Sequence, residues 1–163
     1  MIQAEPFSQN DRISEAALSA APTYLLSPEA QQEVDVALFD LAEENRFRLI
    51  EPAAPGPYGL RVGLTRFEIR LDITPAAGPP VLLSLPAAPL LPAVEAHRAV
   101  TAAYLDGVRR LPAAEIAVID GQRKAIHDDA AAELQLALAG QVLTDHPTAR
   151  RLFTLICALT WQS

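Results

Sequence analysis

Lysine is almost missing from this chain. Lys124 stands alone beside twelve arginines in a total of 13 basic residues. Cysteine occurs once, at Cys157, so an internal disulfide is excluded and a reducing compartment is expected. No run of about 20 apolar residues exists, so the pattern of a membrane span is missing. The longest apolar stretch, residues 152–161, is interrupted by Thr154 and Thr160 and suits a buried helix. The first residues include Glu5 and lack the positive-then-apolar order of an export signal, so a cytoplasmic location is expected.

Signature motifs are missing too. There is no Walker loop, no Gly-x-Gly-x-x-Gly and no Gly-x-Ser-x-Gly elbow. These gaps weigh against nucleotide hydrolysis, dinucleotide redox and α/β-hydrolase chemistry. No His-x-x-x-His pair and no cysteine pair occurs, so neither a metal nor a cofactor is expected.

What is present is ordinary for a folded protein. The 163 residues suit one domain, and half of them are hydrophobic while 20% are charged. Twenty acids against 13 bases give a net charge of −7. That balance disfavours nucleic acid and anionic membranes as partners. Arg61, Arg66 and Arg70 could line one strand face, but Glu68 and Asp72 interleave with them and spoil a phosphate track.

Residues 1–26 read as a poorly ordered lead-in or a short edge strand, the latter using Ile13 and Leu18, with Pro22 blocking a continuous helix. Residues 27–163 read as a single α+β domain. Ser27 can cap a helix, Pro28 suits its first position and Glu29 meets the positive dipole end. Val34, Ala37, Leu38 and Leu41 then follow helical spacing to about Asn45 or Arg46.

Three prolines and a glycine make residues 51–57 a loop. Leu60, Val62 and Leu64 alternate with Arg61 and Gly63, and Phe67, Ile69, Leu71 and Ile73 alternate with Glu68, Arg70 and Asp72. Period two with one polar face predicts half-buried antiparallel strands joined near Thr65 and Arg66. Residues 81–85 supply a third strand. After Pro89 the spacing turns helical through Leu91, Val94, Arg98, Thr101, Leu105 and Val108, until Leu111-Pro112 breaks it. Pro112 opens a helix containing Ile116, Ile119 and Ile126, which runs on through an alanine-rich stretch to Gly140. Gly121 inside it costs about 1 kcal/mol relative to alanine. Thr144, Asp145 and Pro147 begin the last helix, with a stripe of Leu152, Leu155, Ile156 and Leu159. The expected fold is a three-stranded antiparallel meander covered on one face by about four helices.

Two constellations could carry chemistry. Asp120, Arg123, Lys124 and His127 share one face if residues 119–129 are helical. A carboxylate beside His127 could make it an acid, a base or an anion contact. The blander alternative is a solvated face of weak ion pairs. At the start of the last helix, Thr148, Arg150 and Arg151 could hold a phosphate or carboxylate on free backbone N–H groups. The alternative there is that Asp145, or an acid from another element, simply pairs with the arginines. Cys157 reads as a small buried hydrophobe.

The segments Leu41-Ala-Glu-Glu-Asn-Arg-Phe47, Ile116-Ala-Val-Ile-Asp-Gly-Gln-Arg-Lys-Ala-Ile-His127 and Thr148-Ala-Arg-Arg-Leu-Phe-Thr-Leu-Ile-Cys-Ala-Leu-Thr-Trp161 together resemble an uncharacterised family of small soluble alphaproteobacterial proteins. The likeness spans roughly residues 30–161, and its last segment is the most specific. Asp120, Arg123, His127, Thr148, Arg150, Arg151, Cys157 and Trp161 match the family's pattern. The chain departs from it at Ala96, His97, Thr101 and Ala103, where the family is more aromatic and polar, and at Gly121-Gln122-Arg123, where the family reads Met-Gly-Arg. The resemblance implies a bacterial cytosolic protein and transfers no activity.

Two functions therefore compete. One is a non-catalytic protein-interaction or regulatory module, with a protein partner or self-association, using the apolar last helix as a docking surface. The other is a small-molecule enzyme or anion-binding domain using Asp120, Arg123 and His127 with Arg150 and Arg151. The second requires the two constellations to meet in one concave pocket. The sequence favours the first, because it holds no specific catalytic signature.

Overall fold

The computed structural model describes residues 7–19 and 28–160. The expected helix cap Ser27, the expected breaker Pro22, the first six residues of the lead-in and Trp161 lie outside them. In chain order the elements are β1 (Ile13–Leu18), α1 (Pro28–Glu43), β2 (Phe47–Leu49), β3 (Tyr58–Leu64), β4 (Glu68–Thr74), β5 (Val81–Pro86), a short 3-10 turn (Ala88–Leu90), α2 (Leu91–Gly107), α3 (Ala113–Leu138), β6 (Val142–Thr144) and α4 (His146–Thr160).

The class is α+β, but the sheet is larger than the alternation predicted. It has four strands in the order β1-β3-β4-β5, and β1 runs parallel to β3. The expected three-stranded antiparallel meander survives as β3-β4-β5 inside it. A second, two-stranded sheet pairs β2 with β6, Phe47 opposite Thr144 and Leu49 opposite Val142. Strands of three residues carry no readable period, and their pairing spans most of the chain. Thr144 ends β6 instead of opening the last helix.

Side-chain alternation decides which face of the sheet is dry. Leu60, Val62, Ile69, Leu71, Ile73, Leu83 and Leu85 are buried on one face. On the other, Arg61 lies opposite Asp72 and Arg70 opposite Ser84. Acid thus faces arginine across the strands, which leaves no continuous basic track. Phe67, expected to begin the inward row, sits in the turn before β4 and is 73% exposed. The turn is closed by Thr65 N–H donating to the Glu68 carbonyl at 2.9 Å, which leaves Phe67 outside the pleat.

Helix α4 is the centre of the molecule. Leu152, Phe153, Leu155, Ile156, Cys157 and Ala158 are all buried, and α4 packs against β3, α1, α2 and α3. Its own first turn explains where it starts: the Asp145 side chain accepts from Thr148 N–H at 3.1 Å, the N-cap arrangement. Its apolar residues cover a broad face that packs into the core, while Arg150, Arg151 and Thr154 on the remaining side stay half-buried.

Asn45 ties α1 to the sheet edge. Its amide accepts from Ile13 N–H at 2.6 Å and donates to the Ile13 carbonyl at 2.8 Å and to the Leu41 carbonyl. One buried side chain thus takes the place of a neighbouring strand for β1 and caps an orphan carbonyl of α1. Tyr58 does comparable work for the 51–57 loop, donating to the Ala54 carbonyl at 2.6 Å and accepting from Leu49 N–H at 3.2 Å. At Gly56 a side chain would collide with the Asn10 carbonyl, 2.0 Å from where its Cβ would stand.

Candidate functional site

The four helices do not close completely on one another. Between them lies a cleft of about 850 Å³, inside the ~300–1,000 Å³ range of small-molecule sites. Helix α1 contributes Glu33, Val36, Ala37 and Asp40 to it; α2 contributes Arg98, Thr101, Tyr104 and Leu105; α3 contributes Arg123, Lys124 and His127; α4 contributes Arg150, Arg151 and Thr154. Residues of α3 and α4 separated by more than twenty positions thus face one space. Five cations and two carboxylates line this cleft, in a chain whose net charge is −7.

The polar face of α3 is organised by ion pairs along the helix. Arg123 donates to Asp120 at 2.8 Å, and Lys124 lies 3.3 Å from the other Asp120 oxygen. The Arg123 guanidinium also sits over the Tyr104 ring, 4.6 Å from its centroid. It is therefore held from two sides before any ligand arrives. Asp120 itself lies outside the cleft lining and acts by orienting Arg123. The Arg123 hydrogen bond holds the Asp120 carboxyl below the usual carboxylate range.

The α4 arginines are also tethered. Arg150 lies 3.4 Å from Asp128 of α3, and the same oxygen is 3.2 Å from His146 Nε2. Arg151 donates to the Glu44 carbonyl at 2.7 Å. An acid from another element thus pairs with Arg150, as one of the sequence alternatives had it, while Asp145 serves as the helix cap. Both arginines still reach the cleft.

Thr148 stands apart from this group. Its hydroxyl accepts from Arg46 N–H at 3.0 Å, it is completely buried, and it is not in the cleft lining. The side chain faces the β2 side of α4, where a strand-opening N–H needs an acceptor. Helical rotation by two positions from Arg150 places it on the opposite side.

His127 joins the two constellations. Its Nε2 is 3.0 Å from the Thr154 hydroxyl, which donates in turn to the Arg150 carbonyl at 3.2 Å. Behind it, the rings of His127, His97 and Phe153 meet edge to face. Burial, then Arg150 and Arg123, push the His127 imidazole down to about 4. Burial, then His127 and Arg123, push His97 down to about 4. Both are neutral near pH 7. Burial pushes the Cys157 thiol well up, so it is inert as a nucleophile at neutral pH. Among the described residues no group of three or more His, Cys, Asp or Glu side chains could hold a metal ion. Among them, too, no helix is long and apolar enough to cross a membrane.

Several lining residues were not marked as site candidates by the sequence, among them Glu33, Arg98, Thr101 and Tyr104. Each looked like part of an ordinary helix face. Only the convergence of α1 and α2 on the same space distinguishes them.

The sequence itself has clear relatives. A protein of Paracoccus denitrificans is 41% identical over 138 residues, covering 82% of this chain and 85% of its own. A Jannaschia protein is 42% identical over 141 residues, covering 85% and 88%. A Phenylobacterium zucineum protein is 36% identical over 160 residues, covering 98% and 99%. All three carry only a family designation. No solved structure matches. The family model that matches, described as an uncharacterised protein family, takes in residues 10–162, and the chain belongs to that family, UPF0262.

Proposed function

We propose that the cleft between the four helices binds a small organic anion. The observation that carries this reading is the meeting of Arg123, Lys124 and His127 of α3 with Arg150 and Arg151 of α4 in one concave space. Cations gathered in a partly desolvated cleft attract an anion far more strongly than the same cations spread over a wet surface. Arginine suits the task because its fork meets a carboxylate or phosphate with two parallel hydrogen bonds. Arg123 is pre-set by Asp120 and Tyr104, which lowers the entropy lost on binding. Val36, Ala37, Ala102 and Leu105 give the cleft an apolar wall for the hydrocarbon part of the ligand.

The interaction module, which the sequence favours for its lack of a catalytic signature and its apolar last helix, remains the alternative reading; the apolar side of that helix is packed into the core.

The test is thermal unfolding of the wild type and of an Arg150→Ala/Arg151→Ala variant in inorganic phosphate and in citrate, with sodium chloride at matched ionic strength. The anion reading expects the wild type to gain several degrees in Tm and the variant to gain none while remaining folded by circular dichroism. Equal stabilisation of both proteins, or reproduction of the effect by sodium chloride, rejects it.

A further inference from the structure

Two residues that line the cleft each carry a polar atom buried without a hydrogen-bond partner among the described residues: Glu33 Oε2 on α1 and Thr101 Oγ1 on α2. Both are out of character. A helical threonine commonly returns its hydroxyl to a carbonyl of the preceding turn. Thr154 does so to Arg150 and Thr160 to Cys157. Thr101 does not. Asp120 and Asp128 are held by cations, whereas Glu33 makes no ion pair among the described residues. Burial without a partner pushes the Glu33 carboxyl up, opposed only by the nearby Arg123 charge. A buried polar group left unsatisfied has given up its water without gaining a partner, and the cost is larger when the group is charged. Two of them, from two helices around one cleft, mark a place where a bound group completes the hydrogen bonding.

We infer that the ligand of this cleft carries a hydroxyl or amino hydrogen-bond donor beside its negative charge, and that Glu33 and Thr101 receive that donor. The inference rests on the anion reading above and narrows it. Arginines at the α3 and α4 walls take the charged end. Glu33, on a different helix, takes the donor by turning its carboxyl, and a plain anion would meet Glu33 as a repelling group. The site thereby favours hydroxy- or amino-substituted acids over unsubstituted ones.

Three matched four-carbon acids test this by calorimetry: succinate, malate and aspartate. The wild type should bind malate or aspartate at least about tenfold more tightly than succinate, the worth of a hydrogen bond to a charged group. Whichever of the two leads identifies the donor as hydroxyl or amine. Glu33→Leu and Thr101→Val should each narrow that ratio toward one while still binding succinate. If Glu33→Leu fails to fold, Thr101→Val, which is isosteric, carries the test alone. Equal binding of all three acids, lost in Arg150→Ala/Arg151→Ala, would leave the anion reading standing and overturn this one. A ratio that survives in the folded variants would also overturn it. Absence of binding by any of the three acids would overturn both.

Discussion

The rings of His97 and His127 meet edge to face with centroids 4.5 Å apart, one from α2 and one from α3. His97 is completely buried, and Arg123 acts on both rings. This contact joins the wall of the cleft to the core, because Phe153 of α4 packs against both imidazoles.

The pair makes stability depend on pH. In the fold both imidazoles are held down to about 4, against 6.5 for an unperturbed histidine. Below 6.5 the unfolded chain takes up protons that the folded chain refuses. Stability is therefore full above about pH 6.5 and falls as pH drops toward 4. The slope reaches about 1.4 kcal/mol per pH unit for each histidine. Glu33, with its raised carboxyl, works in the opposite sense. Urea midpoints at pH 7.5 and pH 5.0 check this. A His97→Phe variant should flatten the dependence, and an unchanged slope would contradict the burial argument.

Thr101 and Thr148 should respond oppositely to the same substitution. Thr101→Val removes a hydroxyl with no partner among the described residues and should leave Tm unchanged or raise it. Thr148→Val strips Arg46 N–H of its acceptor in a part-buried place and should cost about 1 kcal/mol or more. Paired denaturant titrations decide. A large loss at Thr101 would show that its hydroxyl serves the fold.

Gly121 lies within α3 with nothing near the position a Cβ would occupy. Gly121→Ala should therefore stabilise the protein by about 0.5–1 kcal/mol. Differential scanning calorimetry reads the gain directly. A loss would mean that the helix needs the glycine for a reason outside backbone entropy.

Asn45→Ala should be among the more damaging single changes away from the apolar core. It leaves Ile13 N–H and two carbonyls without their partner in a buried setting, at a cost of about 2–4 kcal/mol. Hydrogen exchange should show β1 opening faster than β4. Uniform protection across the sheet would contradict the role given to this side chain.

Much of this arrangement was legible beforehand, for reasons that can be stated. Leu60, Val62, Ile69, Leu71 and Ile73 alternate with polar neighbours over seven-residue strands, so the pleat is written in consecutive residues. The three-residue strands β2 and β6 are too short to show a period, and the parallel pairing of β1 with β3 is set by tertiary packing and not by local order. The site divided in the same way. Arg123 and His127 share a helix face by spacing alone. Thr148 shares a turn with Arg150, yet it points to Arg46, and nothing in the spacing tells which side of α4 meets β2. Glu33 and Thr101 were invisible because a polar residue on an amphipathic helix ordinarily faces water.

On the anion reading, α3 and α4 present their arginines to one ligand. The most direct measurement is a phosphate titration followed by the arginine Nε–H and histidine ring signals in nuclear magnetic resonance. The account predicts that Arg123, Arg150, Arg151 and His127 shift together with one common Kd, while Arg61 and Arg70 on the outer sheet face stay still. Shifts spread evenly over all arginines, or separate affinities for the α3 and α4 groups, would contradict it.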